Sequence, residues 1–526
     1  MSYKVVIPSA GIGARVGPYS KFMNKALVTI GDKPAISRVI EKFDTNIPLV
    51  VLIGYKGDMV KEVLKQLYPK RKIDFVYVDK FKGKGSGLGY SLLKAKNFLQ
   101  CPFIFIPNDT IIGADKVDLD PNLNGNWAAF YKKSKKDNYN PEIFRTLELN
   151  KHKTKVINIT GKGTLNKNIY VGISGIKDYK KFWENMEKED AIKIGEAYGL
   201  NRLENIKAVE VFQWFDCGSL ASLKVAKEHF LNTEHNILEK EDESIWFIDN
   251  QVIKFSTNKQ FISDRVKRLE YLPKDFLPEI EDSNIYTYKY KKSTGKIISS
   301  TLQPKKLEDL LNSCQKNLWN KKKKVNKNVQ KICYKFYKEK TYERLDKYLN
   351  RFEQVDKDLT INDKKSFSVK QLLDNLDWKN LCENPSWANF HGDFHGENIL
   401  FSKERGFVLL DWRQNFGEKN YEFGDVYYDL AKLNHGFIVN HEVVAKGDFS
   451  VREESQDKVY ISIKQKSNLL KCQNFFYKWL KDNNYNEKKI NIITALIFVN
   501  ISGLHEYPYS RFLFLLGQSM LNEYSN

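Results

Sequence analysis

The chain is sparing with the residues that mark secreted or metal-stapled proteins. Its 526 residues hold six cysteines, Cys101, Cys217, Cys314, Cys333, Cys382 and Cys472, all far apart and none in a C-x-x-C pair. That spacing excludes a zinc ribbon and a disulfide framework, and it fits a reducing, cytoplasmic setting. A basic segment, apolar stretch and cleavage site in secretory order are missing; Val5-Val6-Ile7 comes almost at once, so no leader is expected. Long apolar runs are missing as well. The most apolar stretch, Ile490–Leu504, is broken by Asn491, Asn500 and Ser502 and is expected to be a buried helix rather than a membrane span. No periodic repeat is visible.

Acidic residues are in deficit, 65 Asp+Glu against 85 Lys+Arg, for a formal charge of +20. Such an excess suits nucleic acid, an anionic membrane surface or polyphosphate ligands, or else reflects lysines spread over solvated faces. The densest run, Lys321–Lys324, has no interleaved aromatics and reads as surface. Neither nucleic acid nor stable membrane insertion is therefore expected. A nucleic-acid binder would show salt-sensitive binding to oligonucleotides.

Hydrophobic residues make up 42% and aromatics 13%, ample for packed cores, and the length calls for two or three domains. Val5–Pro8, Leu49–Ile53, Phe75–Val78 and Phe103–Ile106 read as buried strands. Ala35–Phe43, Asp58–Leu67 and Tyr90–Phe98 between them have helical periodicity. The alternation predicts βαβ units and a mostly parallel sheet, with ligands beyond the carboxyl ends of the strands. A helix is expected over Ala221–Leu231, followed by a polar stretch, Asn232–Glu243, with a boundary near residue 235. Strands Ile245–Ile248 and Val252–Phe255, joined by the turn pair Asp249-Asn250, then open a second part that becomes helical from about Lys306.

Chemistry gathers after the strands. The first is followed by Ala10-Gly11-Ile12-Gly13-Ala14-Arg15, and Lys25 comes soon after. Closely spaced glycines let backbone N–H groups approach phosphate, while Arg15 and Lys25 can offset charge on a leaving pyrophosphate. Asp109 follows the fourth strand and Asp216 precedes a helix; two carboxylates from distant strand ends make a Mg²⁺ site on a triphosphate. Taken singly, either is an ordinary loop-capping residue. Together with the loop Gly83–Gly89, these segments resemble the nucleotidyltransferases that activate sugar 1-phosphates and phosphocholine.

That resemblance, over roughly residues 1–230, implies attack of a phosphomonoester on the α-phosphorus of CTP, UTP, GTP or dTTP. It assigns Ala10, Gly11, Gly13 and Arg15 to the triphosphate, Lys25 to the transition state, and Asp109 and Asp216 to the metal. Lys84 and Gly87 would line the base and ribose, and Tyr170 and Gly172 the acceptor. Ala26 stands where many members have proline, and Asn126–Asn201 matches poorly. The relatives are frequently homo-oligomers, so self-association is an expectation too.

The strongest motif is His391-Gly392-Asp393-Phe394-His395-Gly396-Glu397-Asn398, followed by Leu409-Leu410-Asp411-Trp412. Phosphoryl transfer needs a carboxylate at the acceptor hydroxyl and metal ligands, which Asp393, with Asn398 and Asp411, supply. The block, extended by Tyr421–Leu433, resembles choline kinases and aminoglycoside phosphotransferases. The resemblance implies ATP and Mg²⁺ as cosubstrates, Lys254 at the ATP phosphates with Glu270 as its acidic partner, and Tyr286–Tyr290, Tyr290 included, beside adenine. Asp425 is placed on the acceptor side and read also as a structural residue, as are His391 and His395. No glycine-rich loop precedes Lys254.

The expected architecture is therefore α/β. A Rossmann-like nucleotidyltransferase domain, residues 1–235, has a mixed sheet with helices on both faces. A bilobal protein-kinase-like α+β domain, 236–526, has a small lobe to about 305 and a helical lobe beyond. In series, the kinase would phosphorylate a small hydroxylated metabolite such as a sugar, and the first domain would convert it to an NDP-activated donor for surface polysaccharide or lipopolysaccharide. Alternatives are a choline- or ethanolamine-type kinase with a cytidylyltransferase making a CDP-amino alcohol, or one half as a degenerate nucleotide-binding regulatory module.

Overall fold

A computed structural model describes residues 3–113, 123–134, 140–231, 241–320, 323–417 and 420–525. The expected boundary near 235, most of Asn232–Glu243 and the first half of Lys321–Lys324 lie outside them. By contacts the chain forms two compact units, Met1–Thr233 with Glu241–Thr257 in one, and the chain from Asn258 onward in the other.

The first unit is built on a mixed sheet. Lys4–Ser9 lies at its centre, parallel to Leu49–Ile53 on one side and to Phe103–Phe105 on the other, and Ile73–Tyr77 extends it beyond Leu49–Ile53. Every residue of Leu49–Ile53 is buried, as a strand covered on both faces requires. Beyond Phe103–Phe105 the sheet turns antiparallel through Asn168–Ile176, which also pairs with Trp127–Lys132. The expected helices form at Ala35–Ile40, Gly57–Leu67 and Leu88–Ala95. Met59, Val60, Val63 and Leu64 give the second its buried face. Gly89 lets the third approach the Glu189–Ile194 helix, since a Cβ there would lie 2.1 Å from the Ala191 carbonyl oxygen.

The strands Glu243–Ile248 and Gln251–Ser256 form the expected hairpin, with Asp249 and Asn250 both in the left-handed region that a tight two-residue turn demands. The hairpin is fastened within the first unit. Trp246 Nε1 donates to Thr29 Oγ1 at 2.9 Å, Thr29 Oγ1 donates to Ser244 Oγ at 3.0 Å, and Phe247 N donates to Asp32 O at 2.8 Å.

In the second unit, Ile280–Ser283 pairs with Thr287–Lys291, and Ile399–Ser402 pairs with both Lys296–Ile297 and Gly406–Leu409. Helices dominate after Pro304–Asn317. A polar sheet of Lys364–Ser366, Leu359–Ile361, Lys458–Ile463 and Phe449–Ser455 interrupts them, where only helices were expected. The apolar stretch becomes the helix Glu487–Ser502, buried from Lys489 to Val499. Its polar positions are satisfied inside: Asn491 Oδ1 accepts from Asn434 and Tyr477, and Thr494 Oγ1 donates to Ile490 O. Among the described residues no helix is long and apolar enough to cross a membrane.

Candidate active sites

In the first unit the strand Lys4–Ser9 delivers the chain to an exposed turn. Gly11, Ala14 and Arg15 are exposed, and a Cβ on Gly11 would meet nothing within 4 Å, so its backbone faces open space. Gly13 has φ +68°, and a Cβ there would come within 3.0 Å of the Lys25 side chain. The glycine thus serves both the turn and the lysine beside it.

Lys25 is held by a neighbour that sequence reasoning missed. Asn24 is fully buried, donates through Nδ2 to Ser9 O at 2.9 Å and Tyr55 O at 2.7 Å, and accepts from Ala26 N. This pins the short helical turn Lys25–Leu27 under the end of the first strand. Lys25 Nζ then reaches Asp109 Oδ2 at 2.6 Å.

Asp109 and Asp216 are brought together by the antiparallel pairing of Thr110–Ile112 with Trp214–Asp216, in which Asp216 lies opposite Thr110. Cys217 N donates to Asp109 O, and Ser222 Oγ, part of the capping box of the helix Leu220–His229, donates to Asp216 Oδ2 at 2.7 Å. At Gly218 an added Cβ would lie 3.1 Å from Asp216 Oδ1, 3.3 Å from Arg15 Nη2 and 3.4 Å from Asp109 Oδ2. All three side chains therefore point into one cradle that only glycine leaves open. Burial and the Asp109 charge push Asp216 above its ordinary range. Against its own burial, Asp109 is held below that range by Lys25. Two carboxylates beside one cation suit a divalent ion whose other ligands come from phosphate oxygens. No group of three or more His, Cys, Asp or Glu that would hold a metal unaided occurs among the described residues.

Gly87 caps the helix Leu88–Ala95, and Lys84 is exposed in the loop before it. Gly172, at φ +81°, lies against Pro107, one residue from Asn108 and two from Asp109. Tyr170 is buried on the same strand. Near it sits Glu196, a second residue that the sequence did not suggest. Burial, opposed by Arg145, raises its carboxyl to about 7.

In the second unit Asp393 is gripped at both oxygens. Lys432 Nζ lies 2.7 Å from Oδ1, and Asn398 Nδ2 donates to Oδ2 at 2.9 Å, with His395 Nε2 3.6 Å from Oδ2. Against burial, Lys432 and His395 hold the carboxyl well below its usual range. His395 is raised, despite burial, to about 9 by Asp393 and Glu397 and is protonated at neutral pH. With its nitrogen donating to Asp393, the Asn398 amide turns its oxygen away. The hairpin Ile399–Ser402 with Gly406–Leu409 sets Asn398 beside Asp411, because Leu410 N donates to Asn398 O at 2.7 Å. Asp411 has φ +57°, in the left-handed region that aspartate tolerates better than most non-glycine residues. Its carboxylate is paired with Arg265. Asn398 and Asp411 are the oxygen-bearing side chains on either side of this hairpin, of the kind a magnesium ion takes.

Buried groups brace this loop. Asp429 accepts from His391 N at 2.7 Å, Gly392 N at 2.6 Å and Trp319 Nε1 at 3.0 Å. Arg268, fully buried, donates to the carbonyls of Phe390, His391, Arg413 and Tyr421. The signal for Asp429 and Lys432 was present: they are charged residues in the run Val426–Ile438, whose other strongly polar members are Asn434 and His435. Arg265 and Arg268 carried no such signal in a chain this basic.

Of the other expected residues, Lys254, Tyr290 and Asp425 are buried and Glu270 is exposed. Lys254 is buried on the Gln251–Ser256 strand, opposite Ile245. Glu270 falls in an exposed turn two residues past the helix Lys259–Arg268. Tyr290 is buried on Thr287–Lys291, paired with Ile280. Asp425 is fully buried, accepting from Ser386 N, Tyr427 N and Tyr337 Oη, with Lys489 3.8 Å away. That is a brace, and it is not brought to Asp393.

No protein-family model matches the chain. The chain is 30% identical over 158 residues to the bifunctional protein GlmU of Methanococcus vannielii, covering 30% of this chain and 34% of that protein. To the bifunctional protein GlmU of Methanococcus maripaludis it is 29% identical over 243 residues, 43% of this chain and 54% of that protein. The chain thus spans about a third to a half of these relatives. Among solved structures, a UDP-glucose pyrophosphorylase from Acinetobacter baumannii is 19% identical, covering 44% of this chain and 93% of its own, with a TM-score of 0.37. The N-terminal part of the chain has nucleotidyltransferase homologues, which cover about 45% of its length.

Proposed function

We propose that the first unit transfers a nucleotidyl group from an NTP to a phosphorylated metabolite and that the second phosphorylates a small hydroxylated metabolite with ATP. The observation that carries the reading is the convergence of Arg15, Asp109 and Asp216 on Gly218, with Lys25 paired to Asp109. Gly11 and Gly13 would bind the triphosphate, and Arg15 and Lys25 would offset charge on the departing pyrophosphate. Asp109 and Asp216 would hold Mg²⁺, which when bound neutralises phosphate charge.

In the second unit Asp393 orients the acceptor hydroxyl, and Asn398 and Asp411 are the residues that would hold Mg²⁺ on ATP. Tyr290 would lie beside adenine. In series, the two reactions give an NDP-activated donor for surface polysaccharide. A sugar is favoured over an amino alcohol at the first unit by the segments Trp214–Ser219 and Gly87–Gly89. The test is mass spectrometry after incubating the full chain with Mg²⁺, the four NTPs and panels of sugars, amino alcohols and their phosphates. Formation of one NDP-linked product with pyrophosphate supports the reading; no product with any pair refutes it.

A further inference from the structure

Beside Asp393 the second unit gathers cations that phosphoryl transfer alone leaves unexplained. Lys432 takes Oδ1 of Asp393, while Asn398, on the side of the Asp411 turn, takes Oδ2. One helical turn before Lys432, Tyr428 packs edge-on against Phe336, ring centroids 5.0 Å apart. The Phe336 ring in turn carries Lys340 Nζ at 4.3 Å and Arg413 Cζ at 4.9 Å, and Arg413 Cζ lies 6.0 Å from the Tyr428 ring. Arg344 follows Lys340 by one turn on the helix Lys340–Phe352, so both present the same face.

Lys340, Arg344 and Arg413 are half-buried, within reach of a small ligand. Among the described residues no carboxylate lies within ion-pairing distance of any of the three. Burial and the neighbouring guanidinium groups of Arg413 and Arg344 push the Lys340 ammonium well below its usual value, and burial and Arg413 lower Arg344. Glu343 is the acid whose charge acts on Lys340 and Arg344, without an ion pair to either; like charges held together this way are costly, and an anionic ligand lowers that cost.

We infer that the molecule phosphorylated by the second unit carries an oxyanion, a carboxylate or a phosphate, besides its hydroxyl, and that Lys340, Arg344 and Arg413 bind it. The inference rests on the kinase reading above. The hydroxyl oxygen bonds to the γ-phosphorus of ATP, the bond to the β-phosphate oxygen breaks to release ADP, and the hydroxyl proton leaves past Asp393 to water. A choline-like cation is repelled by the same three groups, and a neutral sugar leaves them unmatched.

The test measures ADP release by the full chain with ATP, Mg²⁺ and choline, glucose, glycerate or glucose 6-phosphate; the last two separate carboxylate from phosphate. Turnover is expected with an anionic acceptor. Arg344→Gln should raise the KM for that acceptor roughly tenfold, the loss of one charge-assisted hydrogen bond, and move the KM for ATP less than about twofold. Sulfate, as a bare oxyanion, should raise the melting temperature of the native protein but not of the Lys340→Met/Arg344→Gln variant. Faster turnover of choline or glucose, or an unchanged acceptor KM in Arg344→Gln, would overturn the inference. ATP binding without anionic turnover or a sulfate effect sinks it alone, whereas no ATP binding at all sinks the kinase reading.

Discussion

Lys25 Nζ and Asp109 Oδ2 meet at 2.6 Å although the two residues stand 84 apart in sequence. The pair joins the turn after the first strand to the loop after the strand Phe103–Phe105, and it keeps a cation beside the place where pyrophosphate charge would develop. Lys25→Met should therefore lower the rate of pyrophosphate release by about 10²–10³, the scale seen when one preorganised donor is removed. Circular dichroism should be unchanged, and ADP release by the second unit should stay at its native rate. An unaltered rate of pyrophosphate release would remove Lys25 from the chemistry.

Glu196 makes the stability of the first unit depend on pH. Its carboxyl is raised to about 7, mainly by burial, so the folded state binds its proton more tightly than the unfolded chain does. The stabilising contribution is complete below the unfolded carboxyl range and is lost as pH rises through 7. Glu196→Gln should flatten that loss, giving on the order of 3 kcal/mol more protection than the native protein at pH 8 and little difference at pH 4. Hydrogen exchange of the strand Asn168–Ile176, read across that pH range, checks it. Parallel profiles for the two proteins would contradict it.

Much of this was legible from local pattern. The central strands and their helices carry periodicity that survives folding, and Asp249-Asn250 supplied its hairpin turn because both residues accept positive φ. The site motifs were legible because glycines, cations and acids recur together after strands, although each alone has an ordinary structural reading. What escaped were groups whose meaning is tertiary. Asn24 looks like any loop asparagine until Ser9 and Tyr55 are seen to need its donors. Arg268 is one arginine among many until four carbonyls converge on it. Glu270 lies two residues past the end of the helix Lys259–Arg268, a boundary that local pattern does not fix. The sheet of Leu359–Ile361 and Lys458–Ile463 pairs strands about a hundred residues apart, and although Val459, Ile461 and Ile463 alternate as in a strand, nothing local names the partner.

Arg268 should be indispensable to the second unit. Its guanidinium is buried, and burial lowers its pKa to about 9, yet it donates to the carbonyls of Phe390 and His391 before Asp393 and of Arg413 and Tyr421 after it. Lysine has one compact donor group and cannot span the same carbonyls. Arg268→Lys should leave several of them unpaired and destabilise the unit by about 3 kcal/mol or more. Calorimetry should show one transition moved down, with pyrophosphate release from the first unit preserved. A native thermogram would show that the carbonyls find other partners.

The central claim is that each unit is a separate phosphate-handling centre organised around its own carboxylates. Asp109→Asn and Asp393→Asn, each assayed in the full chain for pyrophosphate release and for ADP release, test it most directly. Asp109→Asn should abolish the first reaction and spare the second, and Asp393→Asn should do the reverse. Loss of both reactions in either variant, with melting behaviour unchanged, would contradict the account.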